Sequence, residues 1–273
     1  SQAVWGGSNS RYRNNPYRPV AEAADFFGSD EAWTYQEKLY RYIIARWGYS
    51  RALFLWFVVD EINGTEGWTK GDQSVAEEWC RKVDRFFNEH DPYGRPTTGT
   101  QSGGIGQWWP GGYKIFDVAA REIYEAQGHP MPKTGKPDPD DSPLRYSYLN
   151  YATQAQNLWS GFHKPAIIGE FHFGALDRGM FHTGLQATSD QEARAAAYAN
   201  YVEGALKNPW LVGTHWFQYG EQATTGRGDG ENYQIGFVDV CDTPYPEIIE
   251  ASRAVGAKMY EYRLGSAGAG EDP

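Results

Sequence analysis

Two stretches of the chain share one pattern, a continuous apolar run that closes on a carboxylate. Residues 52–59 (Ala-Leu-Phe-Leu-Trp-Phe-Val-Val) lead into Asp60-Glu61, and residues 165–169 (Pro-Ala-Ile-Ile-Gly) lead into Glu170. Because polar residues do not alternate with apolar ones, both runs predict strands buried on both faces, as in parallel sheets covered by helices. The carboxyl end of such a strand is where α/β barrels carry their chemistry.

Strands and helices alternate along the rest of the chain. Further strands are predicted at 96–100, 117–120 and 211–217. This alternation is typical of a (β/α)8 TIM-type barrel, whereas a doubly wound open sheet lacks support because no glycine-rich phosphate motif follows a strand. The predicted helices begin at Asp30, at capping boxes Ser74/Glu77 and Ser189/Glu192, near residue 144, and at Thr243-Pro244, with Ile248, Val255 and Met259 buried in the last.

The strand count falls short of a closed barrel. Five strands are predicted where eight are needed, and we assign them to barrel strands 4–8. The first three strand–helix units, on the order of 90 residues, would be missing or on another chain. Since five strands leave two apolar edges open, we expect a second polypeptide to complete the barrel. Residues 1–264 are thus predicted as the C-terminal portion of a catalytic barrel, and 265–273 as a flexible tail.

Composition narrows the class of partner. The net charge of −10 argues against nucleic acid or an anionic membrane as partner, and the 11 Trp and 19 Tyr residues suit the apolar faces of sugar rings. Two cysteines do not make a disulfide framework, and Cys80 is predicted to be a core residue. No leader sequence is seen in the given chain, and we expect a secreted or periplasmic protein.

Two carboxylates at the ends of different barrel strands are the equipment of a retaining glycosidase. One carboxylic acid protonates the departing glycosidic oxygen and later activates water, while the other carboxylate attacks the anomeric carbon. Retention requires the two groups about 5 Å apart, and inversion about 6.5–9.5 Å. Glu61 and Glu170 are the residues in question.

The same residues resemble clan A of the glycoside hydrolases. That resemblance implies Glu61, in Val58-Val59-Asp60-Glu61-Ile62-Asn63, as acid/base, and Glu170 as nucleophile. The clan usually has Asn where this chain has Asp60, a departure that bears on the contact with the sugar 2-hydroxyl. An aromatic residue ends the eighth strand in the clan, and Trp216 matches it.

A narrower resemblance is to the β-agarases of glycoside hydrolase family 50. It rests on residues 169–179, 214–219 and 229–236, and implies cleavage of β-linked galactose units in agarose-like galactans. We expect no cofactor and no metal site, because the histidines lack compact ligand spacing. The candidate substrate-binding residues are Asp60, Trp68, His172, Asp177, His215, Trp216, Gln218 and Glu231.

Several alternatives stay open on the sequence alone. Another clan A specificity, such as β-galactosidase, β-mannanase or β-glucanase, is the nearest rival. A non-catalytic carbohydrate-binding barrel is the rival from another class, prompted by the missing front and by Asp60. Glu66 is the alternative to Glu61, and Glu231 fits loop structure as well as sugar binding. Exo or endo action depends on loop heights that the sequence leaves open.

Overall fold

A computed structural model describes residues 11–102, 109–122, 164–208, 210–227 and 230–267. The chain divides into two compact units, Ser1–Arg121 and Glu122–Pro273. The helix predicted near 144–160 lies outside the described residues, and the domain assignment of 1–264 stays a prediction.

Within the described residues five strands occur at or next to the five predicted places, with helices between β1 and β2, between β2 and β3, and between β4 and β5. In chain order the elements longer than a single 3-10 turn are α1 (Asp30–Trp47), β1 (Trp56–Val59), α2 (Glu66–Thr69), α3 (Gln73–His90), β2 (Thr97–Gly99), α4 (Pro110–Ile115), β3 (Ala119–Glu122), β4 (Ala166–Phe171), α5 (Gln191–Lys207), β5 (Leu211–Trp216), α6 (Pro246–Ala257) and α7 (Met259–Ala267).

The strand pairs are parallel, as the buried runs predicted. In the first unit β1 pairs with β2, with Trp56 opposite Thr97 and Val59 opposite Gly99. In the second unit β4 pairs with β5, and Phe171 at the end of β4 lies opposite Trp216 at the end of β5. The described residues therefore form a mixed α/β fold with parallel sheets, and each pair brings two strand ends to the same edge.

In both helices for which a capping box is predicted, an aspartate is the N-cap in place of the predicted serine. Asp72, not Ser74, caps α3, and its Oδ1 accepts hydrogen bonds from the Ser74 N–H (2.8 Å) and hydroxyl (2.7 Å). Asp190, not Ser189, caps α5, accepting from the Ala193 N–H (2.8 Å), while the Ser189 hydroxyl donates to it. A carboxylate accepts more strongly than a hydroxyl, and it also suits the positive end of the helix dipole.

The last predicted helix begins later and ends earlier than expected. Its first residue is Pro246, and Tyr245, not Thr243, precedes it. The carboxylate of Asp239 accepts the Thr243 N–H (2.8 Å), so Thr243 belongs to a turn that precedes the helix, and the helix begins three residues later. The helix ends at Ala257, and Met259 opens α7 largely exposed at 41%, which corrects its assignment to the core. Ile248 and Val255 are buried as predicted.

The core of the first unit lies between α3 and β1. Trp79, Cys80, Val83 and Phe87 of α3 are buried there, and the Phe87 ring stacks on Trp56 of β1 with centroids 4.8 Å apart. Cys80 is thus a core residue, as predicted. Burial of each such side chain contributes roughly 1.5–3 kcal/mol.

A buried ion pair fixes the start of both strands in this unit. Arg95 donates to both carboxylate oxygens of Asp91 (3.0 and 3.1 Å) and to the Leu53 carbonyl (2.9 Å). The Trp56 indole N–H donates to the same carboxylate at 2.9 Å. Because these bonds join α3, β1 and the residues that lead into β2, they fix the register of the two strands at their amino-terminal ends.

No described helix is long and apolar enough to span a bilayer.

Candidate active site

The backbone of Glu61 is in a conformation that side chains rarely adopt. Its φ of 47° and ψ of 54° place it in the left-handed region, two residues after the end of β1 and directly before a 3-10 turn at Ile62–Gly64. For a residue with a Cβ this costs on the order of 1 kcal/mol or more, and it persists only where surrounding contacts enforce it. The side chain of Glu61 is partly buried at this bend.

Thr100 supplies the contacts that enforce the bend. Its hydroxyl accepts the Glu61 N–H at 2.9 Å and donates to Asp60 Oδ1 at 2.8 Å. Its own N–H donates to the Val59 carbonyl (2.9 Å), and its carbonyl accepts the Ile62 N–H (3.1 Å). Thr100 is fully buried, so these four bonds are shielded from water. The sequence predicts a strand that includes Thr100 but gives no sign of this role.

A second pair of hydrogen bonds joins the two segments at Asn63, two residues after Glu61. The Asn63 amide donates to the Ser102 carbonyl at 2.7 Å, and its Oδ1 accepts the Ser102 N–H at 2.8 Å. Asp60 itself is exposed, with Oδ1 engaged by Thr100.

Trp68 and Glu66 lie on the short helix α2. Trp68 is half-buried, and its ring packs edge-on against buried Trp109 with centroids 5.9 Å apart. The Glu66 carboxylate pairs with Lys70 at 3.1 Å across one helical turn. The described contacts of both residues are therefore those of packing and of a surface ion pair.

Glu170 lies near the end of β4, partly buried, in the second unit. Ile167 and Ile168 before it and Phe171 after it are buried in the core. Phe171 stacks on Tyr201 of α5 with centroids 3.9 Å apart and planes at 12°. The strand end that carries Glu170 is thus fixed by packing on the helix behind it.

Trp216, opposite Phe171 on the neighbouring strand, has a fixed ring. Its indole N–H donates to the carbonyls of Ile235 (2.8 Å) and Gln218 (3.1 Å). Its ring meets Phe171 at 90° with centroids 5.2 Å apart. The Gln218 amide donates in turn to the Gly220 carbonyl (3.1 Å), and exposed His215 precedes Trp216 on β5.

A fully buried arginine lies behind Trp216. Arg194 of α5 donates to three neutral acceptors, the Phe173 carbonyl (2.9 Å), the Gln191 amide oxygen (2.8 Å) and the Gly236 carbonyl. Its guanidinium also lies 5.6 Å from the Trp216 ring centroid. Burial lowers the pKa of Arg194 to about 10, so it stays charged at neutral pH. Arg194 thereby ties the segment after Glu170 to the segment after Trp216. Its position in an Ala-rich helix gives no sign of this role in the sequence.

A chain of hydrogen bonds runs between the loops of this unit. Asp177 accepts from the Gln191 amide (2.9 Å), which also donates to Gln234 (3.0 Å). Gln234 donates to the Tyr245 hydroxyl (3.2 Å), which donates to Glu221 (2.6 Å). Burial raises the pKa of Glu221, against the lowering effect of the Tyr245 hydrogen bond. The Asp177 carboxylate is therefore held in place by Gln191 of the same unit.

His172 and Glu231 also have partners within the unit. The Nε2 atom of buried His172 accepts the Leu185 N–H at 2.8 Å, which places the ring proton of the neutral imidazole on Nδ1. Burial and then the charge of Arg194 lower the pKa of His172 to about 3. Glu231 accepts from the Gln222 amide (2.7 Å) and pairs with Arg227 (3.0 Å).

The predicted site residues fall into two groups. Asp60, Glu61 and Trp68 belong to the first unit, and the other seven predicted residues to the second. Within the described residues no group of three or more His, Cys, Asp or Glu side chains is arranged to hold a metal, and both cysteines are free thiols. The separation of the Glu61 and Glu170 carboxylates stays a prediction.

Comparison of the sequence finds similarity to agarases. No family model matches the chain. It is 50% identical over 124 residues to β-agarase B of Vibrio sp. (strain JT0107), a match covering 42% of this chain and 13% of that protein. A second relative, β-agarase A of the same strain, is 47% identical over 98 residues, which is 36% of this chain and 10% of the relative.

Solved structures of agarases are also similar to this chain. The crystal structure of an agarase, AgWH50C, superposes with a TM-score of 0.52 at 32% identity, over 72% of this chain and 28% of that one. An exo-β-agarase superposes with a TM-score of 0.51 at 31% identity, over 74% of this chain and 25% of its own. The fold is thus similar to that of glycoside hydrolases, and the chain spans about a quarter of these structures.

Proposed function

We propose that this chain is the C-terminal portion of the (β/α)8 catalytic barrel of a retaining glycoside hydrolase that cleaves agarose-like β-galactan. The likeness to β-agarase B and to AgWH50C supports the substrate class. The single observation that carries the catalytic proposal is the left-handed backbone of Glu61, held at a strand end by buried Thr100. Stored strain of this kind is concentrated at functional sites.

In the proposed reaction Glu61 and Glu170 divide the work. Glu170 attacks the anomeric carbon and forms a covalent galactosyl-enzyme, while Glu61 protonates the departing glycosidic oxygen. That step leaves Glu61 as a carboxylate, which then accepts a proton from a water molecule. The water attacks the anomeric carbon and displaces the Glu170 carboxylate, so the configuration is retained overall. Because of the bend, the direction of the Glu61 side chain does not follow the alternation of side chains along β1. We propose that this helps to set the short distance between the Glu61 and Glu170 carboxyl groups that retention requires.

The remaining predicted residues are proposed to act in two ways. Trp216, with its N–H satisfied internally, would present its ring as the floor of the subsite beside the scissile bond. Asp60, Trp68, His215 and Gln218 are proposed to contact the sugar. His172, Asp177 and Glu231 are proposed to act through the loops that they hold, since their described partners belong to the chain.

A (β/α)8 barrel has eight strands, and five strands lie within the described residues. We propose that a further polypeptide segment supplies the first three strand–helix units, in keeping with the greater length of the agarase relatives. Because polymeric galactan does not cross a cell membrane unaided, we also propose a secreted or periplasmic location.

The test uses a chimera in which this chain replaces the AgWH50C segment on which it superposes, called the chimera below. We expect it to cleave agarose oligosaccharides and to leave mannan and cellulose oligosaccharides intact. The Glu170→Gln variant should still bind but not turn over. Preference for mannan or cellulose would assign another clan A specificity. Agarose binding without turnover, unchanged by Glu170→Gln, would instead assign a carbohydrate-binding barrel.

A further inference from the structure

Tyr219 presents an exposed aromatic ring at the sheet edge that carries Glu170. It lies three residues after β5 and is 73% exposed. Since β4 and β5 are parallel, their carboxyl ends lie at the same edge, and the Phe217 N–H donates to the Phe171 carbonyl at 2.9 Å. The segment that leads to Tyr219 therefore starts beside Phe171, the residue after the proposed nucleophile.

The chain itself fixes the orientation of the Tyr219 ring. The ring is parallel to that of partly buried Phe237, with the planes at 9° and the centroids 6.5 Å apart. The Tyr219 carbonyl accepts the N–H groups of Phe237 (2.6 Å) and Val238 (3.2 Å), so the backbone is fixed as well. An exposed ring that is already oriented loses little conformational entropy when a ligand binds to it.

The surroundings of Tyr219 favour a sugar over a protein partner. Within the described residues from 217 to 239, Tyr219 is the only large apolar side chain that is exposed. Its neighbours in sequence are polar or small, namely Gln218, Gly220 and Glu221. Protein docking sites are contiguous apolar patches, whereas a single ring among polar groups suits a sugar, which has both C–H faces and hydroxyl groups.

The Trp216 and Tyr219 rings face nearly perpendicular directions. Trp216 meets the Phe237 ring at 88° with the centroids 5.6 Å apart, whereas the plane of Tyr219 is within 9° of the Phe237 plane. Trp216 is the proposed floor of the subsite beside the scissile bond. A sugar chain that stacks on both rings must therefore turn between the sugar on Trp216 and the sugar on Tyr219.

This angle distinguishes between the candidate polysaccharides. Cellulose and β-mannan repeat a single β-1,4 linkage and form flat ribbons, whose sugar faces suit coplanar aromatic rings. Agarose alternates galactose with 3,6-anhydrogalactose through two kinds of linkage, so its chain twists from one unit to the next. The axial 4-hydroxyl of galactose leaves C–H groups on one face, and these pack on the electron-rich face of an aromatic ring.

We propose that Tyr219 is a specificity-determining residue that stacks on a galactose ring of an agarose-like chain, other than the ring that lies on Trp216. The perpendicular pair of aromatic rings selects a twisted galactan over a flat β-1,4-linked ribbon. The inference rests on the proposed function and adds the residue by which the site distinguishes its substrate from those of other clan A enzymes.

Kinetics on substrates of two lengths test the proposal in the chimera. One substrate is an agarose hexasaccharide, and the other is β-galactosyl fluoride, whose single ring occupies the subsite of Trp216 without reaching Tyr219. We expect Tyr219→Leu to raise KM for the hexasaccharide about ten-fold with little change in kcat. Hydrolysis of the fluoride should be unchanged. Tyr219→Phe, which keeps the ring, should differ from the chimera by less than about two-fold.

Tyr260→Leu is the matched control. Tyr260 is 76% exposed on α7 of the same unit, so this variant removes an equally exposed tyrosine away from the loops that follow the strands. Activity on both substrates should be unchanged. Thermal unfolding of the chimera should be little affected by Tyr219→Leu, and a large loss of thermal stability would make Tyr219 a packing residue and overturn the proposal.

Binding to the Glu170→Gln chimera, measured by titration calorimetry, tests the selectivity. The agarose hexasaccharide should bind about ten-fold more weakly when Tyr219→Leu is added. A cellulose hexasaccharide should not compete with the agarose hexasaccharide. Equal competition by the cellulose hexasaccharide would show that the perpendicular rings do not select a twisted chain, and would overturn the proposal.

The role of Tyr219 and the proposed function fail in different ways. Agarose cleavage that Tyr219→Leu does not impair, or equal losses on the hexasaccharide and the fluoride, would overturn the role of Tyr219 and leave the agarase function standing. Agarose binding that depends on Tyr219 but leads to no cleavage would contradict the proposed function and leave the stacking role standing. Loss of self-association of the chain in Tyr219→Leu, measured by light scattering, would assign Tyr219 to a protein interface and overturn the proposal.

Discussion

The hydroxyl of Thr100 accepts the backbone N–H of Glu61 at 2.9 Å and donates to the carboxylate of Asp60 at 2.8 Å. One buried side chain, directly after β2, thus holds both carboxylate residues that follow β1. The bond to Glu61 depends on its left-handed backbone, so Thr100 stabilises the strained conformation directly. The geometry of the proposed acid/base is set by β2 as much as by β1.

Replacing Thr100 by valine should separate geometry from packing. The volume is kept, but the Glu61 N–H and the Asp60 carboxylate lose their partner, which costs about 1–3 kcal/mol of stability. In the chimera we expect kcat on agarose oligosaccharides to fall at least ten-fold with little change in KM. Thr98→Val is the matched control, since Thr98 is equally buried on β2 and its hydroxyl donates to the Val118 carbonyl instead. Equal losses of kcat in the two variants would contradict the role given to Thr100.

Glycine at position 61 should stabilise the isolated chain. The φ of 47° is strained for any side chain but open to glycine, so Glu61→Gly should raise the free energy of unfolding by about 1 kcal/mol. Glu61→Ala keeps a Cβ and should show no such gain. Urea unfolding of both variants measures the difference, and equal stabilities would mean that the bend carries no strain.

The same two variants should behave alike in catalysis. In the chimera each should lose turnover of natural oligosaccharides, yet retain activity on aryl galactosides whose leaving groups need no proton. Equal, complete loss of activity on both substrates would count against Glu61 as acid/base.

Removing the buried guanidinium should affect both loops that it joins. Arg194→Met leaves the Phe173 and Gly236 carbonyls without their donor and should destabilise the chain by about 3 kcal/mol or more. Near-ultraviolet circular dichroism should change as the Trp216 ring loses its neighbour. Arg178→Met, which breaks the exposed pair with Glu247, should cost under about 1 kcal/mol. Similar losses from the two variants would show that Arg194 does not organise the loops.

Stability should fall as pH drops below the ordinary pKa of histidine because of His172. Its pKa is lowered in the folded protein to about 3 from 6.5, so the unfolded chain binds the extra proton between these values. The stabilisation is fully present above pH 6.5 and is lost as the pH falls toward 3, by about 1.4 kcal/mol per pH unit. His172→Gln, whose amide oxygen can still accept the Leu185 N–H, should remove that slope between pH 5 and about 6.5. The slopes of the two proteins should agree above pH 7, and equal slopes below pH 6.5 would refute a buried neutral His172.

The strands could be predicted because an unbroken apolar run is typical of a strand, although only Trp56 is buried in β1 whereas four of the six residues of β4 are buried. Residues 52–59 and 165–169 carry such runs, and β1 and β4 lie within or next to them. Helix starts were predicted less well, since Ser74 and Ser189 each adjoin or follow an aspartate that competes for the same N–H groups. Met259 was placed in the core because its helix was expected to continue through Lys258, where it instead breaks.

Thr100 and Arg194, whose roles were not predicted, act on groups that are distant along the chain. Thr100 is 39 positions from Glu61, and Arg194 reaches Gly236 across 42 positions. Nothing in local periodicity marks a threonine or an arginine for such a role, because its partners are backbone groups brought close only by the fold. The positions of Glu61 after β1 and of Glu170 near the end of β4 were predictable, since an unbroken apolar run precedes each carboxylate in the sequence.

Covalent trapping tests the central claim most directly. The chimera is incubated with an activated 2-deoxy-2-fluoro-galactoside, which forms the glycosyl-enzyme faster than water removes it, and its peptides are analysed by mass spectrometry. We expect one fluorogalactosyl group on the peptide that contains Glu170, and none in the Glu170→Gln variant. Agarose cleavage by an enzyme that forms no adduct, or an adduct on another carboxylate, would contradict the assignment of Glu170 as nucleophile.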